Sequence, residues 1–166
     1  MSISDRTWCK GGGFAFFPLK KKSRFPAGWA LQKKTDNQVV YDGAHPQAPT
    51  VRIIDGMLVA KCEGESTVLG ADSAAGWIAY VRGKWLLTKY FPAQSRGRSA
   101  SSTPFVELAF DEQIAGLQLR SPEIKLKPGD SYVFPEKWTL VELDDRVTSF
   151  DEVRALAKKV SESPFD

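Results

Sequence analysis

Apolar and polar residues alternate along most of the chain, and this spacing of two predicts β-strands rather than helices. The clearest examples are residues 76–81 and 84–90, which are rich in aromatic and β-branched side chains. The connection at 82–83 contains a glycine, which supplies the positive φ that a tight two-residue hairpin turn needs. We therefore expect a β-hairpin at 82–83 and a second one at 55–56, where Asp-Gly separates two apolar runs.

Shorter alternating segments separated by turn residues continue through the rest of the sequence. The 13 glycines and 10 prolines favour many turns over long helices. About ten to twelve short strands are typical of a β-sandwich or a barrel. The further predicted strands are 14–18, 28–32, 38–41, 51–54, 57–61, 104–110, 114–120, 131–134 and 136–143.

One segment, at about 149–161, has the pattern of a helix. Ser149 followed by Glu152 matches a capping box, in which each residue satisfies a backbone N–H of the first turn. Apolar residues then recur at a helical spacing, which predicts that one face packs against the sheet. The sequence as a whole predicts an all-β antiparallel sandwich, a single domain over residues 1–166, with a short C-terminal helix.

The formal charge of +3 is unevenly distributed. Residues 1–106 hold 15 Lys and Arg against 7 Asp and Glu, whereas residues 107–166 hold 8 against 13. The positive excess lies in two basic windows, 20–34 and 82–98, which contain no carboxylate. Such surfaces can bind nucleic acid or another anionic polymer. Lysines also commonly keep loops soluble and protect strand edges, so we do not expect nucleic acid as the main partner.

Several classes of site and location are disfavoured by what the sequence lacks. The two cysteines, Cys9 and Cys62, and the single histidine, His45, are too few for an ordinary metal site or a disulfide framework. No nucleophile elbow or phosphate-binding loop is present. The first residues have no apolar signal segment, and no apolar run approaches the roughly 20 residues of a membrane span. We expect a cytoplasmic protein with no cofactor, no metal and no membrane partner.

Glu107, Lys89 and the tryptophans are the residues that could carry chemistry. Glu107 alternates out of phase with Val106 and Leu108, so it is either an acceptor or base on a concave surface or a solvated carboxylate. Lys89 shares a strand face with Trp85 and therefore either snorkels or points into a polar pocket. Tryptophan rings can stack on sugars or bases, although most aromatic residues in a strand-rich domain belong to the core.

These segments together resemble an uncharacterised bacterial family allied to the galactose mutarotase-like (aldose epimerase-like) β-sandwich proteins. No single motif is specific, and the resemblance rests on their order over roughly residues 8–143. The motifs are Ala-Gly-Trp-Ile-Ala-Tyr-Val (75–81), Leu-Leu-Thr-Lys-Tyr-Phe-Pro (86–92), Phe-Val-Glu-Leu (105–108), Leu-x-Leu (117–119), Lys-Pro-Gly-Asp-Ser (127–131) and Glu-Lys-Trp-Thr-Leu (136–140).

The resemblance implies a mutarotase-like sandwich whose concave face binds carbohydrate. Mutarotases use His and Glu as acid and base, and this chain has no matching pair of histidines. A carbohydrate-binding module or a catalytically degenerate relative of a sugar enzyme is therefore the leading interpretation. One alternative is an aldose epimerase-like isomerase with Glu107 as the catalytic base. Another is a binder of nucleic acid or another anionic polymer through the basic loops.

The expected site combines residues from the central strands with cations from the loops. We expect Lys89 and Glu107 to point into the same concave face, close enough to hold each other charged. The plain alternative is an ion pair on a solvated sheet face, with no function. Two exposed sheet edges also allow a homodimer. The predicted ligand-binding residues are Lys89, Glu107, Trp77 or Trp85 as a stacking wall, and Arg24 and Arg98 at the rim.

Overall fold

A computed structural model of the protein describes residues 2–36, 38–73, 75–93 and 103–165. It consists of two antiparallel β-sheets and one short helix, which confirms the predicted all-β sandwich with a C-terminal helix. The elements are β1 (Ser4–Lys10), β2 (Phe14–Pro18), β3 (Trp29–Thr35), β4 (Gln38–Asp42), β5 (Val51–Ile54), β6 (Met57–Lys61), β7 (Thr67–Ala71), β8 (Trp77–Tyr90), β9 (Val106–Phe110), β10 (Ile114–Arg120), β11 (Lys137–Val147) and α1 (Phe150–Ala157).

The two sheets pack face to face. One has six strands in the order β1-β10-β9-β7-β3-β4, and the other has five in the order β11-β8-β2-β6-β5. Fully buried apolar side chains from both sheets fill the space between them, because alternate residues of each strand point inward. Examples are Leu69, Leu108 and Leu117 from the six-stranded sheet, and Phe17 and Ile78 from the five-stranded sheet.

Helix α1 covers the outer face of the five-stranded sheet. The predicted capping box is confirmed, since Ser149 accepts from the Glu152 amide and the Glu152 carboxylate accepts from the Ser149 amide. The Phe150 ring meets Phe14 of β2 edge-on, with 5.3 Å between the ring centroids. No helix in the described part of the chain has the length and apolarity needed to cross a membrane.

The hairpin predicted at 82–83 is wrong, because these residues lie inside the single 14-residue strand β8. Gly83 does adopt the positive φ that the turn signal indicated, at 60°. It lies within the strand because the two halves of β8 have different partners, β2 for the first half and β11 for the second. The register with β11 is irregular at this point, since residues 142–147 of β11 lie opposite residues 85–83 of β8. The extra residues belong to β11, and Gly83 lies at a break in the ladder rather than in a turn.

The irregularity at Gly83 changes which residues of β8 face the six-stranded sheet. The Tyr80 hydroxyl donates to the Lys10 carbonyl of β1, at 2.5 Å. Lys89, nine positions later, also reaches β1, through Asp5. In a regular strand, positions separated by an odd number point to opposite faces. The alternation of β8 therefore shifts by one residue between Tyr80 and Lys89, and Lys89 points inward.

Other local predictions have mixed outcomes. The hairpin at 55–56 is confirmed, with Asp55 and Gly56 both at positive φ between β5 and β6. The strand predicted at 131–134 is wrong: the segment forms no ladder, and the strand beyond Pro135 begins at residue 137. The strands at 4–10 and 67–71 were not predicted. The first is largely polar and the second contains a glycine, so neither shows a clear apolar alternation.

Candidate functional site

The structure does not bring Lys89 and Glu107 together, so the expected shared concave face is wrong. Lys89 lies on β8 of the five-stranded sheet and points between the sheets. Glu107 lies on β9 of the six-stranded sheet. Its side chain points to the outer face of that sheet, whereas the side chain of its neighbour Val106 points into the core. Consecutive residues of β1 supply a partner to each, because Asp5 points inward to Lys89 and Arg6 outward to Glu107.

The other predicted site residues are dispersed as well. Trp77 is buried in the core and packs edge-on against Phe16, whereas Trp85 is half-exposed. Arg24 forms an ion pair with Asp72 at 3.2 Å and lies over the Phe105 ring, two residues before Glu107. Arg98 lies outside the described residues. Of the predicted set, Arg24 lies close to Glu107 on the six-stranded sheet, whereas Lys89 and Trp85 share one face of β8 on the other sheet.

Lys89 is a connection between the two sheets. Its side chain is 0% exposed, and its ammonium group lies 2.5 Å from Asp5 and 3.2 Å from Glu136. The Trp138 ring covers the ammonium, with 4.6 Å from Nζ to the ring centroid. Trp138 also donates its indole N–H to Glu136, at 2.8 Å. With two carboxylates and an aromatic ring around it, the ammonium is enclosed by the protein's own groups.

The Glu107 network, which comprises Arg6, Gln32, Tyr41, Glu107 and Gln118, occupies the outer face of the six-stranded sheet. Glu107 is only 4% exposed, so the simple reading of a solvated carboxylate is wrong. Arg6 donates to one of its carboxylate oxygens at 2.6 Å, and the Tyr41 hydroxyl donates to the other at 2.5 Å. Arg6 also donates to the Gln118 side-chain carbonyl, and Gln32 donates to the Tyr41 hydroxyl.

Strand register assembles this network. Glu107 on β9 pairs with Gln118 on β10, which in turn pairs with Arg6 on β1, so the three side chains lie in one row. On the other side of Glu107 the row continues with Gly70 of β7. A Cβ atom at Gly70 would lie only 2.8 Å from Cε1 of Tyr41. The missing side chain at Gly70 is therefore what lets the Tyr41 ring cross the sheet to reach Glu107.

The charges in this region do not balance. A second guanidinium, that of Arg120, lies 3.7 Å from the Glu107 carboxylate, so two arginines face one carboxylate. The Nε of Arg120 is buried without a hydrogen-bond partner. Burial, together with the hydrogen bond to Glu107, raises the pKa of Tyr41 to about 12, so its hydroxyl stays a donor at neutral pH. The face therefore presents donors and an excess of positive charge.

Trp8 forms an aromatic platform beside the network. Its side chain is 54% exposed, and the Arg6 guanidinium carbon lies 5.3 Å from the ring centroid. The six-membered ring lies against Gly116 of β10, where an added Cβ would come within 2.7 Å of Cζ3. The absence of a side chain at Gly116 therefore lets a large aromatic ring rest on the sheet next to polar groups.

A cleft adjoins the far end of the Glu107 network. It has a volume of about 500 Å³, within the range of small-ligand sites, and Gln32 is part of its lining. Gln32 thus connects the cleft to the Tyr41 hydroxyl. Further lining residues are Gln47, Thr50, Glu63, Ser66 and Val68.

Part of this site had a signal in the sequence. Alternation already places Gln118 and Arg120 on the face opposite Leu117 and Leu119, and it separates Glu107 from its apolar neighbours. Pairing 104–110 with 114–120 as a hairpin would have put Glu107 opposite Gln118. Trp8 was one of several candidate stacking residues, but no local pattern connects β1 to β10, more than 100 positions later.

No group of three or more His, Cys, Asp or Glu side chains lies together within the described residues, and we assign no metal centre to them. No protein-family model matches the chain, and no curated protein or solved structure matches it either. The resemblance to the mutarotase-like proteins therefore stays a prediction. Function has to be inferred from the geometry of the outer face of the six-stranded sheet.

Proposed function

We propose that the protein binds carbohydrate on the outer face of its six-stranded sheet. Trp8 is the stacking platform, and the Glu107 network supplies the polar contacts. The observation that carries the proposal is the half-exposed Trp8 ring resting on Gly116 directly beside Arg6. A tryptophan ring that rests on the sheet beside a charged donor can stack on the apolar face of a sugar while the donor reaches its hydroxyls.

The chemistry of the face matches that of a sugar. A pyranose ring presents an apolar C–H face that packs on an aromatic ring, and hydroxyls around its rim that need donors and acceptors. Arg6 keeps more than a third of its side chain exposed while it is oriented by Glu107 and Gln118. Such orientation lowers the entropy lost on binding. The excess positive charge favours sugars that carry a carboxylate over neutral ones.

The hydrogen bonds of Glu107 favour a protein that binds a sugar without catalysing a reaction on it. A general base needs an oxygen available to the reacting proton. Both oxygens of Glu107 already accept hydrogen bonds, from Arg6 and from Tyr41. Glu107 is also only 4% exposed, so a substrate proton has little access to the lone pairs that these contacts leave. The carboxylate instead holds Arg6 and Tyr41 in place.

Binding of an anionic polymer has weaker support, because cations of the two basic windows are engaged within the protein. Lys89 is enclosed between the sheets. Arg24 is paired with Asp72, and Lys33 with Asp42 at 2.6 Å. Ion-paired and buried cations release few counterions on binding a phosphate backbone, so they add little affinity for nucleic acid.

A cytoplasmic location is kept as part of the proposal. Cys9 and Cys62 are both free thiols, which is the state expected in a reducing compartment. Fractionation of cells that produce the protein would test this, and recovery of the chain outside the cytoplasm would contradict it.

Calorimetric titration with a panel of neutral and acidic saccharides tests the proposed function. We expect binding that Trp8→Ala abolishes and that the matched control Trp138→Ala retains. Both tryptophans are about half-exposed, but Trp138 lies on the five-stranded sheet. Binding that survives Trp8→Ala would refute the proposed face. Binding of duplex DNA that weakens steeply with salt would instead support the anionic-polymer alternative.

A further inference from the structure

Strand β11 is a long, unpaired sheet edge. It has 11 residues and lies at the end of the five-stranded sheet, where β8 is its strand partner within the described residues. Its other side presents backbone N–H and C=O groups that can pair with another strand. Natural proteins usually protect such edges by making them short, charged or interrupted by proline.

Residues 138–141 of β11 carry no charge, whereas its charged residues lie at 137, 142 and 144–146. Leu140 is 65% exposed, and Trp138 and Val141 are each about half-exposed. The register with β8 places Leu140 opposite Leu87, and Glu142 opposite the half-exposed Trp85. Trp138, Leu140 and Trp85 therefore lie on one face of the two strands, and Val141 lies on the other face. Both faces of the edge carry exposed apolar surface.

The charges along β11 favour a second copy of the same strand as the partner. The strand begins with Lys137 and becomes acidic toward its end, with Asp144 and Asp145. An antiparallel pair about a two-fold axis at Val141 brings the basic start of each strand toward the acidic end of the other. A parallel pair would place like charges side by side, which is unfavourable across strands.

We propose that β11 pairs antiparallel with β11 of a second copy of this chain, which joins two five-stranded sheets into one continuous sheet. Such a contact is isologous, so it closes at the dimer and does not propagate into a fibre. Trp8 and Glu107 belong to the other sheet, so the dimer leaves the proposed sugar site uncovered. The inference is therefore independent of the proposed function.

The other sheet edges are less suited to this pairing. The edge strand β1 has seven residues, and its adjacent charges Asp5 and Arg6 are engaged with Lys89 and Glu107. At the opposite edge of the same sheet, β4 has five residues, fewer than half those of β11. The far edge of the five-stranded sheet, β5, has only four. β11 is thus the longest edge strand among the described strands.

Sedimentation velocity at micromolar concentration tests the proposal with a matched pair of variants. We expect the wild-type chain to sediment at twice its monomer mass and Val141→Lys to sediment as a monomer. The control is Ile53→Lys, on the opposite edge strand of the same sheet, which is similarly exposed and is expected to remain a dimer. A monomeric wild type, or a dimer that persists in Val141→Lys, would overturn the proposal. Circular dichroism confirms that both variants keep the fold.

Cross-linking tests the register. Residues directly opposite each other in an antiparallel pair have Cα atoms roughly 4.5–5.5 Å apart, within the range of a disulfide. Under mild oxidation, Val141→Cys should therefore form a covalent dimer, whereas Ile53→Cys should not. If Val141→Cys sediments as a dimer but fails to cross-link, pairing about Val141 is refuted.

Discussion

Replacing Lys89 with Met tests how the sandwich accommodates a fully buried ammonium group. Methionine has a similar length and no charge, so the exchange keeps most of the packing and removes the contacts to Asp5 and Glu136. Because these residues come from β1 and from the segment before β11, the loss weakens the connection between the two sheets.

The loss of stability depends on the contacts that the Asp5 and Glu136 carboxylates keep once the ammonium group is gone. Asp5 is 45% exposed, so water can replace the ammonium at little cost. Glu136 is only 12% exposed and keeps the hydrogen bond from Trp138. Leaving a buried charged acceptor short of a partner costs about 1–3 kcal/mol, and the lost contact with the Trp138 ring adds about 0.5–1 kcal/mol. Removing the ammonium relieves its own desolvation, so we expect a net destabilisation of about 2 kcal/mol.

Urea unfolding followed by tryptophan fluorescence measures this free energy. For a chain of this size, about 2 kcal/mol corresponds to a fall in Tm of about 4–8 °C. Lys84→Met, on the same strand but exposed, is the control and should change stability by less than about 0.5 kcal/mol. Adding Glu136→Gln to Lys89→Met should recover part of the loss, because no buried charge is then left unpaired. A Lys89→Met protein as stable as the wild type would refute this account of the ammonium.

Three further outcomes follow from the structure. Gly116→Ala places a Cβ 2.7 Å from the Trp8 ring, which is exposed enough to move, so sugar affinity measured by calorimetry should fall by roughly tenfold with little change in Tm. The pKa of Tyr41 is raised to about 12, so stability falls as pH rises from about 10 through that value, and urea unfolding of Tyr41→Phe should show a smaller alkaline loss. Burial raises the pKa of the Cys62 thiol to about 12, so alkylation at pH 8 followed by mass spectrometry should label Cys62 only after unfolding.

Local patterns in the sequence predicted most of the strands but few of their partners. Asp55-Gly56 forms the expected turn because the strands it joins, β5 and β6, pair with each other. Gly83 has the same positive φ but lies inside a strand, because β2 and β11 bind the two halves of β8. A glycine signals a backbone conformation, whereas distant strands decide whether that conformation turns the chain or bends it.

The candidate site illustrates the same limit. Alternation was sufficient to separate Glu107 from Val106 and Leu108, although it left open which of the two faces points inward. It could not show that Arg6 and Trp8 lie beside them, because β1 reaches β10 through a pairing that spans more than 100 residues. The expected contact between Lys89 and Glu107 failed for a related reason. Each residue found its partner on β1, and two adjacent residues of one strand point to opposite sides.

The most direct test of carbohydrate binding on the six-stranded sheet is a titration of the indole N–H signals in ¹H–¹⁵N spectra. The probes are neutral and acidic saccharides, and each indole is assigned by single substitution. We expect the Trp8 signal to move saturably while the signals of Trp85 and Trp138, which are equally exposed on the other sheet, stay in place. Saturable shifts at Trp85 or Trp138 without a shift at Trp8, or no shift with any saccharide, would contradict the account.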